Sequence, residues 1–220
     1  MAKYTLILGT KNWSSWSLRP YLALCATGEP FDEIVIRLNQ PETRSEILKH
    51  SPTGKVPALK IEDGSRVYTV FDSLAICETL AERHPEAGLW PSDAEARAQA
   101  RSVSAAMHSG FPELRVMLSM DFARRIPTPA LSDVVKDQIA EIVGYWRSAF
   151  DRHGRDRFLF GEFSIADCMY APVVSRFRTY EIELPAELQP YSARMFELPG
   201  MRTWDDASRA EVEAGLAQPR

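Results

Sequence analysis

Residues 84–92 read HPEAGLWPS, and the two prolines and one glycine in that stretch divide the chain into parts with different periodicities. Upstream, short apolar runs alternate with helical patterns. Residues 4–8 read as a buried strand, 18–27 as a helix closed by Gly28, 31–38 as a second strand, and 42–50 as a short polar helix ended by Pro52. Residues 57–61 and 67–70 read as a hairpin about the turn 62–65. Residues 72–83 read as a helix with Leu74, Cys77, Leu80 and Ala81 on one face. Downstream only the helical period remains. The pattern predicts a long helix over 94–120 kinked near Gly110–Pro112, and a second over 130–152 whose inner face carries Val135, Ile139, Ile142, Trp146 and Phe150. A third is expected over 165–180, with shorter pieces after it. The expected organisation is an α/β domain over 1–84, a linker over 85–92 and an all-helical domain over 93–220.

A chain of 220 residues can bury a sizeable core, and its composition is that of an ordinary globular protein. The net charge of −4 gives no reason to expect nucleic acid, whose binders cluster basic residues. Cys25, Cys77 and Cys168 are odd in number, far apart and set in apolar runs, which argues for reduced thiols rather than a disulfide framework or a metal site. The N-terminal MAKYTLILG is too short an apolar run for a signal peptide, and no stretch approaches the ~20 apolar residues that cross a bilayer. A cytoplasmic protein with no membrane contact and no metal is expected.

The order βαβ then ββα, with Val56–Pro57 opening the third strand, is the plan of a thioredoxin-like fold. Proline cannot donate to a ladder, so it belongs at a strand start or edge. A cis Val56–Pro57 peptide is expected, which would turn the Val56 backbone outward to pair with an extended ligand. Asp72 and Ser73 stand where the next helix begins. Both are good caps, and the same position suits a ligand head group: free N–H groups and the Ser73 hydroxyl for a carboxylate, Asp72 for an ammonium. In FSIAD (163–167), Ser164 and Asp167 have the spacing of a capping box and read as structural. The stretch NWSSWSLRP (12–20) gathers three serines, two tryptophans and an arginine at the junction of first strand and first helix.

Four stretches in this order resemble the cytosolic glutathione transferases along nearly the whole chain: SSWSLRPYLAL, SPTGKVPAL, DSLAICETLAERHP and FSIAD. The resemblance implies an α/β thioredoxin-like N-terminal domain followed by an all-α domain, glutathione as co-substrate, and a homodimer. It implies that Val56 pairs with the cysteinyl backbone of glutathione, that Asp72 and Ser73 hold its γ-glutamyl end, and that Lys55 reaches its glycine carboxylate. The motif at 14–17 is similar to the zeta-class pattern of a serine pair followed by cysteine. Aligned so, Ser14 activates the sulfur, Ser15 is its neighbour, Ser17 caps the helix and Arg19 is structural. A shift of one residue hands the role to Ser15. Tyr4 lies too early in the strand to be the tyrosine that other classes use. Trp16 stands where the cysteine would be, which sets thiol-transferase and isomerase chemistry behind conjugation of glutathione to a small electrophile. A zeta-like isomerase and a glutathione-binding module with little turnover are the alternatives. Trp13 and Trp16 would line the second-substrate pocket or serve as core aromatics. His108, on the helix facing the cleft, would touch substrate or be an ordinary helical histidine.

Overall fold

The computed structural model describes residues 2–155 and 157–217, so the last three residues of the expected helical domain lie outside the described residues. Four strands form one sheet in the order β2-β1-β3-β4: β1 Lys3–Gly9, β2 Phe31–Ile36, β3 Ala58–Asp63 and β4 Arg66–Phe71. β1 runs parallel to β2, with Tyr4 opposite Phe31, and antiparallel to β3, with Leu6 opposite Leu59. The crossover from β1 to β2 is helix α1, Ser15–Thr27, which Gly28 ends in the left-handed conformation (φ 72°) as a residue without Cβ does most readily. Helix α2, Thr43–Leu48, follows β2, and helix α3, Ser73–Arg83, follows β4.

Because β-strand side chains alternate, β1 feeds two cores. Tyr4, Leu6 and Leu8 enter the main core with α1 and α3, while Ile7 joins Ile36, Ile47 and Ala58 beneath α2. The β3–β4 strands extend further than expected. Asp63 pairs with Arg66, and the turn shrinks to Gly64–Ser65, with Gly64 at φ 60°. Backbone pairing at an exposed hairpin end tolerates the acidic residues that side-chain propensity argues against.

After α3 the chain makes a single 3-10 turn, Pro85–Ala87, and is then helical. The helices are α4 Ala94–Ser109, α5 Pro112–Met117, α6 Asp133–His153, α7 Ile165–Thr179, α8 Gln189–Glu197 and α9 Pro199–Glu213. The expected long helix over 94–120 is two helices. Pro112 cannot continue α4 and disfavours helical geometry in the residue before it, and Phe111 takes φ 63°, so the chain breaks there instead of kinking. The FSIAD box is formed: the Asp167 carboxylate accepts from Ser164 N–H (2.9 Å), Ser164 Oγ (3.1 Å), Leu159 N–H (3.1 Å) and Tyr191 OH (3.1 Å). Burial pushes its carboxyl up to about 6 despite hydrogen bonds that favour the charged form. α1 packs against α3 on one side and α7 on the other, and one apolar cluster runs from Leu6 to Trp146 and Trp204. No described helix is long and apolar enough to cross a membrane.

Candidate active site

The first turn of α1 is built from its own hydroxyls. α1 begins at Ser15, three residues before the apolar periodicity begins, with Ser14 at the N-cap position but making no side-chain capping hydrogen bond. Ser17 is not the cap. It lies inside the first turn, where its Oγ accepts from Gly9 N–H (3.2 Å) and from the Ser14 hydroxyl (2.7 Å), tying the end of β1 to the helix. Ser14 and Ser15 are both buried. Tyr4 is remote in role as well as in sequence: its hydroxyl pairs with His84 Nε2 (2.8 Å) and accepts from Arg83 Nε (3.0 Å).

The loop that delivers these serines is pinned by the helical part of the chain. Glu211 of α9 accepts from the Lys11 and Asn12 backbone N–H groups, both at 2.8 Å, and Trp204 Nε1 donates to the Lys11 carbonyl (3.0 Å). The Asn12 side chain donates to Asp121 (2.7 Å) and accepts from Ala123 N–H (2.9 Å). Sequence reading singled out none of Asn12, Asp121, Trp204 and Glu211. Only Asn12, at the edge of the serine motif, carried a local hint; the others are separated from it by more than a hundred residues.

A cleft of about 720 Å³ opens above the sheet edge, lined by Trp16, Leu38, Thr53, Lys55, Val56, Phe71, Asp72 and Ser73 among others. The Val56–Pro57 peptide is cis. Asp72 takes φ 76° as N-cap of α3, and its Oδ1 accepts from Leu74 N–H (2.9 Å) and Ala75 N–H (3.2 Å). Ser73 is buried, and its Oγ has no hydrogen-bond partner among the described residues. Five of the nine residues singled out in the sequence, Trp16, Lys55, Val56, Asp72 and Ser73, thus share one wall. Ser14 and Ser15 are buried at the start of α1 and are not among the lining residues; their chain neighbour Trp16 is the one residue of that turn that lines the cleft. Trp13 is half-buried and does not belong to the lining.

His108 reaches this wall from α4. Its Nε2 lies 3.1 Å from Asp72 Oδ2, and its ring meets the Trp16 indole edge-on at 5.3 Å. Trp16, 37% exposed, is also in contact with two guanidinium groups, Arg19 at 4.3 Å and Arg115 at 4.9 Å from the ring centroid. Arg19 is fully buried, and none of its three nitrogens has a hydrogen-bond partner among the described residues. Burial, with Arg115 and Arg176 nearby, pushes its guanidinium well down, and the indole face is its close electrostatic partner. Burial brings Arg115 down to about 10, so it stays cationic at neutral pH; it donates to the carbonyls of Gly110 (2.9 Å) and Met107. Trp16 therefore lines the cleft and also stacks on two guanidinium groups that are not part of the lining.

A second hollow of about 600 Å³, between the 87–93 segment and Phe160–Ser164, contains none of the candidate catalytic or binding residues; Ser164, read as structural, lines it. No group of three or more His, Cys, Asp or Glu side chains suited to a metal gathers among the described residues.

Residues 13–83 match the family model for the glutathione S-transferase N-terminal domain, and residues 122–209 match that for its C-terminal domain. Among curated relatives, a probable maleylacetoacetate isomerase of Caenorhabditis elegans is 25% identical over 171 residues, 78% of each chain. A maleylpyruvate isomerase of Ralstonia sp is 28% identical over 182 residues, covering 78% of this chain and 82% of that one. Among solved structures, a glutathione transferase homolog from Burkholderia gl BGR1 with bound glutathione superimposes with a TM-score of 0.69 at 24% identity, over 94% of this chain and 98% of that one.

Proposed function

Because the chain belongs to the glutathione S-transferase family, we propose that it uses glutathione to isomerise a small conjugated acid of the maleyl type. The family domains and the relatives named as maleylacetoacetate and maleylpyruvate isomerases support this reading. The observation that carries it is the cleft lined by Lys55, Val56, Asp72 and Ser73, whose charges and backbone suit glutathione.

The residues present fit glutathione. An exposed Lys55 suits the glycine carboxylate, and the Val56 backbone suits an extended peptide. The buried, unpartnered Ser73 Oγ at the N-terminus of α3 suits a carboxylate, and Asp72 suits an ammonium. Glutathione supplies a thiolate that can add to an activated double bond, allow rotation about the resulting single bond and leave again. The protein's part is to hold the thiolate with a hydroxyl of the Ser14–Ser15 pair at the start of α1. Ser14 already donates to Ser17, so Ser15 is the freer donor. This mechanism needs no thiol at position 16, because the attacking sulfur is the co-substrate's own.

Conjugation of glutathione to a small electrophile is the second reading, favoured by Trp16 in the position where the zeta-like motif carries cysteine. The two differ in stoichiometry. With maleylpyruvate as substrate, the isomerase reading expects many turnovers per glutathione and no loss of free thiol. Conjugation expects one thiol lost per product. Slow turnover of maleylpyruvate beside rapid thiol consumption with an aryl halide would reverse the ranking. A cytoplasmic homodimer belongs to the same reading, by analogy with the family.

A further inference from the structure

We infer that His108 is a positioning residue for Asp72: as the neutral Nε2–H tautomer it holds the carboxylate from the second domain and leaves its charge for an ammonium ligand, and on protonation it cancels that charge. The inference rests on the reading that Asp72 receives the γ-glutamyl ammonium of glutathione.

The geometry divides the carboxylate between two functions. Oδ1 caps α3 through Leu74 and Ala75, which fixes the group to its own helix. Oδ2 meets His108 Nε2 at 3.1 Å, a contact that crosses from α4 to the start of α3. The side chains remain accessible there, 45% for Asp72 and 26% for His108, so a ligand can reach the carboxylate. His108 Nδ1 is buried and has no hydrogen-bond partner among the described residues. A neutral ring with its proton on Nε2 leaves only a lone pair unsatisfied at that atom. An imidazolium would bury a charged N–H without an acceptor, which costs more.

The groups around the ring act in the same direction. Arg19 from α1 and Arg115 from α5 both disfavour a third cation, and Asp72 at the start of α3 favours it. Burial is the largest influence, and the net effect lowers His108 below the ordinary histidine value. The ring is therefore neutral at physiological pH and becomes charged only in mild acid. When it does, it competes with the ligand's ammonium for one carboxylate.

Glutathione binding to the full chain, followed by calorimetry from about pH 5.5 to about pH 7.5, tests this. The titrant is S-methylglutathione, whose carboxylates stay essentially in one state across that range and which has no thiol to ionise on binding. Wild-type affinity should fall about three- to tenfold from the neutral end to the acid end, as the imidazolium forms. His108→Gln keeps an N–H donor but cannot titrate. It should keep neutral-pH affinity within about twofold and lose the pH slope. His108→Ala should bind about three- to tenfold more weakly at neutral pH, since one hydrogen bond to a charged group is removed. S-methylglutathione lacking the γ-glutamyl amino group should bind wild type more weakly and without the slope. A His108→Gln variant that retains the wild-type slope, or a His108→Ala variant with wild-type affinity and slope, overturns the inference while leaving glutathione use intact. Absence of saturable glutathione binding by the wild-type chain overturns the underlying reading and this inference with it.

Discussion

Ser14 and Ser15 are adjacent hydroxyls in different circumstances. Ser14 donates to Ser17, which in turn anchors Gly9, whereas Ser15 opens the helix. Ser15→Ala is expected to lower turnover by roughly 10- to 150-fold, the worth of one hydrogen bond to a charged group, with glutathione affinity within about twofold of wild type. The absorbance of the bound thiolate should titrate at higher pH in that variant. If Ser14→Ala alone produces both effects, the donor is Ser14 and its bond to Ser17 must open in the complex. Trp16 invites a different test, because Arg19 has the indole face and no hydrogen-bond partner among the described residues. Trp16→Leu is expected to cost about 2 kcal/mol or more in urea unfolding, since a desolvated guanidinium loses its ring. Trp16→Phe, which keeps a ring with a weaker quadrupole, should cost less. Equal losses for the two would show that the contact is packing alone.

Among the elements, α9 and α7 act at a distance through carboxylates. Glu211 holds two backbone N–H groups of the loop that delivers the serines, and burial raises its own carboxyl. Glu211→Ala should destabilise the fold by about 2–4 kcal/mol, because two charge-assisted hydrogen bonds go and two half-buried N–H groups remain. It should also lower kcat at saturating glutathione, since the loop no longer fixes Ser14 and Ser15. Glu211→Gln, which can satisfy at most one of those donors, should fall between. Asp167 is the matching residue of α7. Its folded carboxyl, at about 6, lies above the unfolded value of ~3.9, so the folded state binds the extra proton. The stability this contributes is fully present below about pH 4 and is lost as pH rises to about 6. The cost of Asp167→Ala should therefore be larger near pH 4.5 than near pH 7, and still about 3 kcal/mol or more at pH 7, where four donors are left unmatched. A cost that grows with pH would contradict the assignment.

The whole molecule shares one apolar core between its α/β and helical parts, with α1 between α3 and α7. Calorimetry should therefore show one cooperative transition, and a fragment ending at the 84–92 segment should not fold alone, because it would expose the outer face of α1. Two separable transitions would mean that the shared cluster is energetically divided. Thiol chemistry reports on the same packing. Cys77 and Cys168 are fully buried and burial drives both thiols up, whereas Cys25 is partly exposed with a smaller rise. A disulfide reagent should titrate at most one thiol in the folded chain and three after denaturation. A fast second thiol under native conditions would show that the core opens.

The element order and the nature of the cleft wall were legible in the chain because local chemistry sets both. Gly28 and Pro112 fix where helices stop, and Asp72 caps α3 wherever it packs. Val56–Pro57 and Lys55 share a strand entry, so proximity in sequence carried them to the cleft together. Positions that depend on long closures were not legible. The break at Phe111 looked like a kink, because a proline marks the disturbance but not how the chain resolves it. Ser17 looked like a cap, because only the packing of α1 on β1 offered its hydroxyl the Gly9 N–H. Glu211 carries no local signature, and its role exists only because α9 returns across about 200 residues to the loop after β1. Trp16 could be read as an aromatic at a helix start, but not as the surface on which Arg19 and Arg115 rest. Sequence determines which groups can cap, turn or titrate. The tertiary fold decides which of them meet, because burial and charge depend on neighbours that only chain closure brings together.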